Sequence, residues 1–497
     1  MIHGIIFTGM DSESTLSRAA GSYRLRTWLS KHDYKIEVID YFNQFTKREI
    51  KKLCQKYIGN ETLFVGISST FFYSTEYINF LFKHIKENYP NVKTIIGGTE
   101  SELVGLNSKI VDKFFWGYAE DAFLHYLDFL SGKRLDDLNW VSYKDSVAIN
   151  AEQGFKNDSS DLTVEWLPED LLNTNNLPIE ISRGCIFRCR FCQYPLLGKK
   201  KNDYIRHENN LADEFKRNYD TYGITNYSFS DDTFNDNIIK LEHVANAIVK
   251  SGVDITYSCF LRADLLASHP DMIPILGDTG MVAAQFGLES FNETAKKVVG
   301  KGMDTQKQLD AIKKLKDYKP TWTFTGMIIG LPGESIDNIL ESQKWFIEQK
   351  NIYFNDWGWY PLGIKKNAMT RKSEFDINYQ KWGYSIVDDS FHCTNWKNEF
   401  MDSEQSRKLS HKLNLETMTI KKSKRVFGTV GLWHASELVG LGLKIEDIIN
   451  DNIPPNILKE IQEKIISNAI KYKEFKLEGT EEDGALTIFF DKIKKLF

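Results

Sequence analysis

The chain has 497 residues, 42% of them hydrophobic, and a net charge of −5. That length leaves room for about two to four domains, and the charge argues against coating nucleic acid and makes nucleic acid an unexpected partner. Six cysteines are too few for a disulfide scaffold, and free thiols imply a reducing compartment, the cytoplasm; no apolar run reaches membrane-spanning length.

The opening run Met1–Phe7 lacks a basic leader and a cleavage site, and reads as a strand rather than a signal peptide. Apolar runs then recur at His3–Thr8, Lys35–Ile39, Thr62–Ser68, Lys93–Ile96 and Lys113–Trp116. Helical stretches lie between them at Tyr23–Leu29, Lys47–Tyr57, Tyr77–Glu87 and Glu120–Leu130. This alternation predicts a doubly wound parallel sheet, with ligands beyond the carboxyl ends of its strands. Those ends carry Thr8, Gly9, Ser68, Ser69, Thr70, Gly97, Gly98, Thr99, Gly117 and Tyr118. Glycine permits close backbone approach, and hydroxyls can bond a ligand's amides or phosphate. By itself the set defines a nucleotide-sized site, and tight turns explain any one of the glycines equally well.

Residues from about Leu135 to Asn176 read as a polar, turn-prone connector with room for a strand or two. A second alternation begins at Leu177. Strands are predicted at Pro178–Ser182, Asn226–Ser230, Ile255–Leu261, Val282–Leu288, Thr321–Ile329 and Asp356–Tyr360. Helices are predicted at Leu211–Tyr222, Ile238–Ser251, Asp271–Leu276, Thr305–Lys316 and Ser335–Lys350. This spacing fits a partial (β/α)6 barrel, with chemistry at the strand carboxyl ends. Ser230, Asp231 and Asp232 end the second strand, Arg262 the third and Glu289 the fourth. Strand parity puts Gln285 with Glu289, and Ser258 with Arg262. If those faces line the barrel, Gln285, Glu289 and Arg262 point into one cavity; a buried Arg262–Glu289 ion pair is the plain structural alternative.

The first loop of this second alternation is Cys185-Ile186-Phe187-Arg188-Cys189-Arg190-Phe191-Cys192. Three thiolates on one short loop can hold three corners of an iron–sulfur cluster and leave one iron open. A zinc knuckle or three buried thiols are the alternatives, but zinc normally closes with a fourth ligand in a paired spacing, and none is evident. Cys54, Cys259 and Cys393 are scattered and read as free thiols. The lysine runs Lys199–Lys201 and Lys421–Arg425 read as solvated faces. From about Asp389 onward the chain is mostly helical, with Trp396, Trp433 and His434 read as core.

The cysteine spacing, with Phe191 just before the third cysteine, resembles the radical S-adenosylmethionine (SAM) superfamily. Phe229-Ser230-Asp231-Asp232 resembles the motif that contacts the methionine amino group there. Val65–Ser68, Ile95–Gly98 and Phe115–Glu120 resemble the cobalamin-binding domain that precedes many such cores. The lower-ligand histidine motif of that domain is missing: the chain reads Met10-Asp11-Ser12-Glu13-Ser14-Thr15.

The resemblance implies a [4Fe–4S] cluster on Cys185, Cys189 and Cys192. It implies SAM at Phe191, Ser230, Asp231, Asp232, Ser258, Arg262, Gln285 and Glu289, and cobalamin at the ten residues from Thr8 to Tyr118 named above, without a histidine from the protein on cobalt. The expected domains are a cobalamin-binding-like Rossmann domain at 1–135, a connector at 136–176, a partial barrel at 177–388 and helices at 389–497. The implied activity is methylation of an unactivated carbon or phosphorus through a 5′-deoxyadenosyl radical and methylcobalamin. The expected partners are a small-molecule or peptide substrate and a reductant such as flavodoxin or ferredoxin. A radical rearrangement, ring contraction or oxidation without methyl transfer is the alternative, and a non-enzymatic cluster sensor a more distant one.

Overall fold

A computed structural model describes residues 1–9, 18–70, 74–98, 105–143, 145–151, 158–171, 176–193, 203–366, 372–388, 395–420, 432–450 and 452–480. The chain divides into two compact units. One comprises Met1–Asn157, Val164–Asn173 and Glu463–Phe497; the other comprises Asp158–Thr163 and Thr174–Gln462.

The first unit runs β1 (Gly4–Phe7), α1 (Ala20–Ser30), β2 (Ile36–Ile39), α2 (Lys47–Tyr57), β3 (Phe64–Ser68), α3 (Thr75–Asn88), β4 (Lys93–Gly98), β5 (Lys113–Trp116), α4 (Glu120–Leu130), β6 (Val141–Tyr143) and β7 (Ser146–Asn150). The sheet order is β2-β1-β3-β4-β5-β7-β6, with only β6 antiparallel. The five expected strands are present, and the expected connector adds two more at the edge beside β5. Strand alternation divides the core: Ile5, Phe7, Val65 and Ile67 pack on one face, Ile6, Phe64, Ile95 and Phe115 on the other. Helix α2 shows why the chain turns helical where it does. Thr46 and Glu49 form a reciprocal capping box, and Ile50, Leu53 and Cys54 repeat along the buried face.

The second unit contains β8 (Asn176–Glu180), α5 (Glu208–Tyr222), β9 (Asn226–Ser230), α6 (Ile238–Ser251), β10 (Thr256–Leu261), α7 (Ala263–Ser268), α8 (Met272–Asp278), β11 (Met281–Glu289), α9 (Glu293–Val299), α10 (Thr305–Tyr318), β12 (Trp322–Ile329), α11 (Ile336–Glu348) and β13 (Asp356–Pro361). These six strands are parallel and lie in sequence order, β8 to β13. Among the described residues no β8–β13 pairing closes the sheet, as a partial barrel requires. Helix α12 (Glu374–Asn378) and the two-stranded β14 (Ser385–Asp388) and β15 (Asn395–Lys397) follow.

The carboxyl-terminal helices divide between the two units. Helix α13 (Ser403–Ile420) binds the free edge of β13: Asn414 Nδ2 donates to the Trp359 carbonyl at 2.8 Å, and the Trp359 amide donates to Asn414 Oδ1 at 2.9 Å. An edge strand otherwise leaves its backbone groups unpaired, and α13 satisfies them with side chains. Helix α14 (Leu432–Gly440) meets the opposite ends of the strands, where Ser436 Oγ donates to Asn226 Oδ1 at 2.9 Å. After α15 (Ile445–Asn450), helix α16 (Pro455–Leu477) ends in the first unit. There Lys473 pairs with Glu49 at 2.9 Å and Lys476 with Glu37 at 2.7 Å.

Candidate active site and cofactor cradle

In the first unit the order β2-β1-β3 reverses direction at β1, which makes the carboxyl edge of β1 and β3 the topological switch point. Thr8 and Gly9 follow β1, and Ser69 and Thr70 follow β3. Registers Ser68↔Gly97 and Gly98↔Trp116 continue the same edge to Gly117 and Tyr118. Thr99 lies outside the described residues. Thr8 Oγ1 is buried with no hydrogen-bond partner among the described residues. Gly98 has φ +136°, and a side chain there would meet Ser69 Oγ at 2.9 Å and the Thr70 amide nitrogen at 3.0 Å. An orphaned buried hydroxyl beside a side-chain-free edge fits a bulky ligand whose own polar groups complete the bonding.

In the second unit the cysteine loop leaves the end of β8. Gly184 takes φ +84°, a turn that favours glycine. The Arg183 amide bonds the Tyr204 carbonyl at 3.0 Å, and the Arg206 amide bonds that of Ile181 at 3.0 Å. Farther along, Arg190 Nη1 donates to the Lys297 carbonyl at 3.0 Å and to that of Val298. These carbonyls end α9, the electronegative pole of that helix. Gln193 donates to Asp376 at 2.9 Å, which ties the loop to α12.

Cys185 is buried, whereas Cys189 and Cys192 are half-buried. Burial pushes the Cys185 thiol up, and the Thr233 hydroxyl, 3.3 Å away, pulls the other way. Among the described residues, no three His, Cys, Asp or Glu side chains converge on one metal ion. A cubane does not need such convergence, because it spreads its three thiolates over three different irons. Three thiols on one short loop are therefore compatible with a cluster.

Strand alternation places Gln285, Gly287 and Glu289 as expected. Along β11 these three are partly accessible, while Phe286 and Leu288 between them are buried. Glu289 has φ +68°, and the β11–β12 register slips beside it, so its carboxylate is re-aimed at the strand end. Its partner is Lys301: Nζ lies 2.7 Å from Glu289 Oε1 and 2.8 Å from the Gly287 carbonyl. Lys301 also lies 5.9 Å from the Phe191 ring, which joins the pair to the cysteine loop. The sequence reading missed Lys301. Nothing in the sequence marked it, because it lies well beyond the end of β11, after an unpredicted helix, α9.

Two expectations need correction, and one structural alternative is not met. Asp231 is occupied within the fold: its side chain is fully buried and accepts from Ser182 Oγ at 2.9 Å, the Thr233 amide at 2.8 Å and Lys240 Nζ. A carboxylate held by these donors has no capacity left for a ligand's ammonium. Ser258 is likewise buried, 3.5 Å from Ser228 Oγ, while Asp232 is exposed and Ser230 partly so. Finally, Arg262 and Glu289 do not pair with each other. Arg262 pairs with Asp264 and reaches Cys189, while Glu289 takes Lys301. Lys199–Lys201, Lys421–Arg425 and Cys393 lie outside the described residues, as do the Trp433 and His434 side chains. Trp396 is core as expected, and its Nε1 donates to the Leu362 carbonyl at 2.9 Å.

Glu334, in the loop after β12, is buried; Ser290 donates to its Oε1, while Oε2 has no partner among the described residues. Burial pushes this carboxyl up from its ordinary 4.5 to about 8, against the pull of Ser290. The folded chain thus holds a proton that the unfolded chain releases. The resulting stability is fully present below pH 4.5 and is lost as pH rises through about 8. We expect Glu334→Gln to remove this dependence and to exceed the parent by roughly 1–2 kcal/mol above pH 8, read by urea denaturation. A parallel pH profile for the two proteins would show that Glu334 titrates as an ordinary carboxylate.

Residues 179–346 match the radical SAM superfamily. These residues carry a radical SAM domain, and the chain is an enzyme. An uncharacterized methyltransferase of Pyrococcus horikoshii, PH0819, is 24% identical over 424 residues, 80% of this chain and 86% of the relative. The radical SAM methyltransferase TsrM of Kitasatospora setae, solved with cobalamin and a [4Fe–4S] cluster, superposes with a TM-score of 0.57 at 12% identity. That match covers 95% of this chain and 100% of TsrM. The cobalamin-dependent radical enzyme OxsB, solved with aqua-cobalamin and SAM, gives a TM-score of 0.57 at 14% identity over 100% of this chain and 84% of its own. This chain shares the fold of these enzymes. No helix among the described residues is long and apolar enough to cross a membrane.

Proposed function

We propose that this enzyme is a cobalamin-dependent radical SAM methyltransferase that methylates an unactivated carbon or phosphorus centre of a small-molecule or peptide substrate. The observation that carries the reading is the pairing, in one chain, of the cysteine loop at the first barrel strand with the hydroxyl-and-glycine edge at the Rossmann switch point. The likeness to TsrM along nearly the whole chain, and to PH0819, supports it. When bound, the cofactors supply reductive cleavage of SAM to a 5′-deoxyadenosyl radical, and methyl transfer.

The chain's own residues bind and orient. Cys185, Cys189 and Cys192 hold the cluster. SAM carries one carboxylate and one ammonium, and Lys301 and Glu289 offer the complementary charges beside Phe191 and Gln285. Thr8, Gly9, Ser68–Thr70, Gly97, Gly98, Gly117 and Tyr118 hold the corrin and its nucleotide tail. No described histidine of the first unit is offered to cobalt. His3 accepts from the Lys35 amide at the amino end of β1, and His32 bonds the Trp28 carbonyl; His84 and His125 lie on α3 and α4. A low-potential reductant, a flavodoxin or ferredoxin, supplies the electron.

The test is anaerobic incubation with reductant, SAM and cell metabolites, with cobalamin added or withheld. Both 5′-deoxyadenosine and S-adenosylhomocysteine are expected with cobalamin, and only the former without it. Formation of 5′-deoxyadenosine alone under both conditions would replace this reading with a non-methylating radical reaction. Neither product would leave a non-enzymatic cluster protein.

A further inference from the structure

Arg262 ends β10 in a fixed pose. Its amide donates to Asn235 Oδ1 at 2.8 Å, and Asn235 Nδ2 donates back to its carbonyl at 3.0 Å. Asn235 is fully buried, so this reciprocal pair holds the arginine backbone as rigidly as a sheet ladder would. The guanidinium is gripped by Asp264, with Nε at 3.0 Å from Oδ1 and Nη2 at 2.5 Å from Oδ2. Its centre lies 4.1 Å above the ring of Phe187. One edge of the fork remains, and Nη1 donates across it to Cys189 Sγ at 3.3 Å. All three nitrogens of a planar cation are thus assigned, two to a carboxylate and one to a cysteine of the cluster loop.

We propose that Arg262 is a positioning residue that makes the iron–sulfur cluster easier to reduce, by directing an N–H at the thiolate of Cys189. This rests on the reading that the three cysteines hold such a cluster. The reduced cluster carries one more negative charge than the oxidised one, so a charge-assisted hydrogen bond to its sulfur favours the reduced state. Asp264 tempers the effect, since it returns a negative charge to the far side of the guanidinium. The arrangement therefore sets the potential through two opposed charges, and removing either should move it in opposite directions. A lysine at position 262 would keep the charge but could not grip Asp264 and reach Cys189 at once.

The experiment is a redox titration of the reconstituted full-length protein without SAM, followed by paramagnetic resonance of the reduced cluster, with iron and sulfide assayed alongside. Arg262→Gln is expected to shift the reduction equilibrium about tenfold toward the oxidised state, a fall of about 59 mV for a one-electron couple. Arg262→Lys should fall less, and Asp264→Asn should rise. An unmoved midpoint in R262Q at full cluster content would overturn the proposal. So would loss of the cluster in R262Q and D264N alike, which would mark a purely structural role. Weakened SAM affinity in R262Q with the midpoint unmoved would assign Arg262 to SAM instead. Failure of the parent protein itself to take up iron and sulfide would defeat the cluster reading, and this inference with it.

Discussion

Alanine at Cys185, Cys189 and Cys192 together is expected to abolish iron–sulfur absorbance after reconstitution and to reduce 5′-deoxyadenosine formation to background. The three thiols sit on one loop held at both ends by other elements, through the Arg183 and Arg206 amides on one side and Arg190 and Gln193 on the other. The loop should therefore keep its path when the sulfurs are gone, and the far-ultraviolet circular dichroism should match the parent. Of the other cysteines, Cys54 and Cys259 are fully buried, in different units, with thiols pushed up by burial. Inert thiols of that kind do not assemble a second cluster. Iron and sulfide retained by the triple variant would show that a second cluster exists and that this account of the cysteines is incomplete.

Lys240→Met is expected to destabilise the second unit by about 3–5 kcal/mol, the cost of leaving buried charges without their counterion. Lys240 is fully buried, with Nζ 2.9 Å from Asp231, 2.7 Å from Asp236 and 2.8 Å from the Thr233 carbonyl. Tyr204 donates its hydroxyl to Asp236 at 2.9 Å, so the cation holds together groups from β9, α6 and the strand-like segment beside β8. Burial alone would push the Lys240 ammonium down, but the two carboxylates outweigh it and hold it above its ordinary value. Burial pushes Asp236 up, and the neighbouring Asp231 adds to this against the pull of Lys240. Without the lysine the Asp236 carboxyl would rise further. The variant should then recover stability as pH falls and that carboxyl takes up a proton. The same network reaches the cluster loop, since Asp231 holds the Thr233 amide and Thr233 touches Cys185. K240M should accordingly lose its cluster faster than the parent. The measurement is urea denaturation at several pH values, and a loss below about 1 kcal/mol would mean that the pair is as dispensable as a surface one.

Several features of this site were legible before any fold was known. Cysteines at spacings of four and three on one loop state a ligand set whatever lies around them. The strands came out within two residues or so because alternation and β-branched runs are local signals. Parity along β11 correctly put Gln285 and Glu289 on the accessible face, because a strand's two faces follow from residue number alone. The small and hydroxyl residues at the carboxyl edge of the first sheet were found by the same logic, since chain direction fixes which end of a parallel strand is which.

The partners were not legible. Parity names the face a side chain takes, but not the charge that arrives opposite it from elsewhere in the chain. Asp231 looked like a ligand because it ends a strand, yet Lys240, nine residues on, turns inward from α6 and claims it. On the sequence Lys240 is one more lysine in an amphipathic helix; only packing decides that its side chain is fully buried. Arg262 and Glu289 both stand at strand ends of one sheet but pair with Asp264 and Lys301, the latter following a helix too short to announce itself by periodicity. The helices after residue 403 were likewise correctly read as helices, but not as the cap of β13 or as part of the first unit. Local periodicity settles whether a segment is helix or strand because the hydrogen bonds that form it are near in sequence. Which buried charge meets which is a long-range matter, settled when desolvation forces every ion inside the fold to find a counterion there.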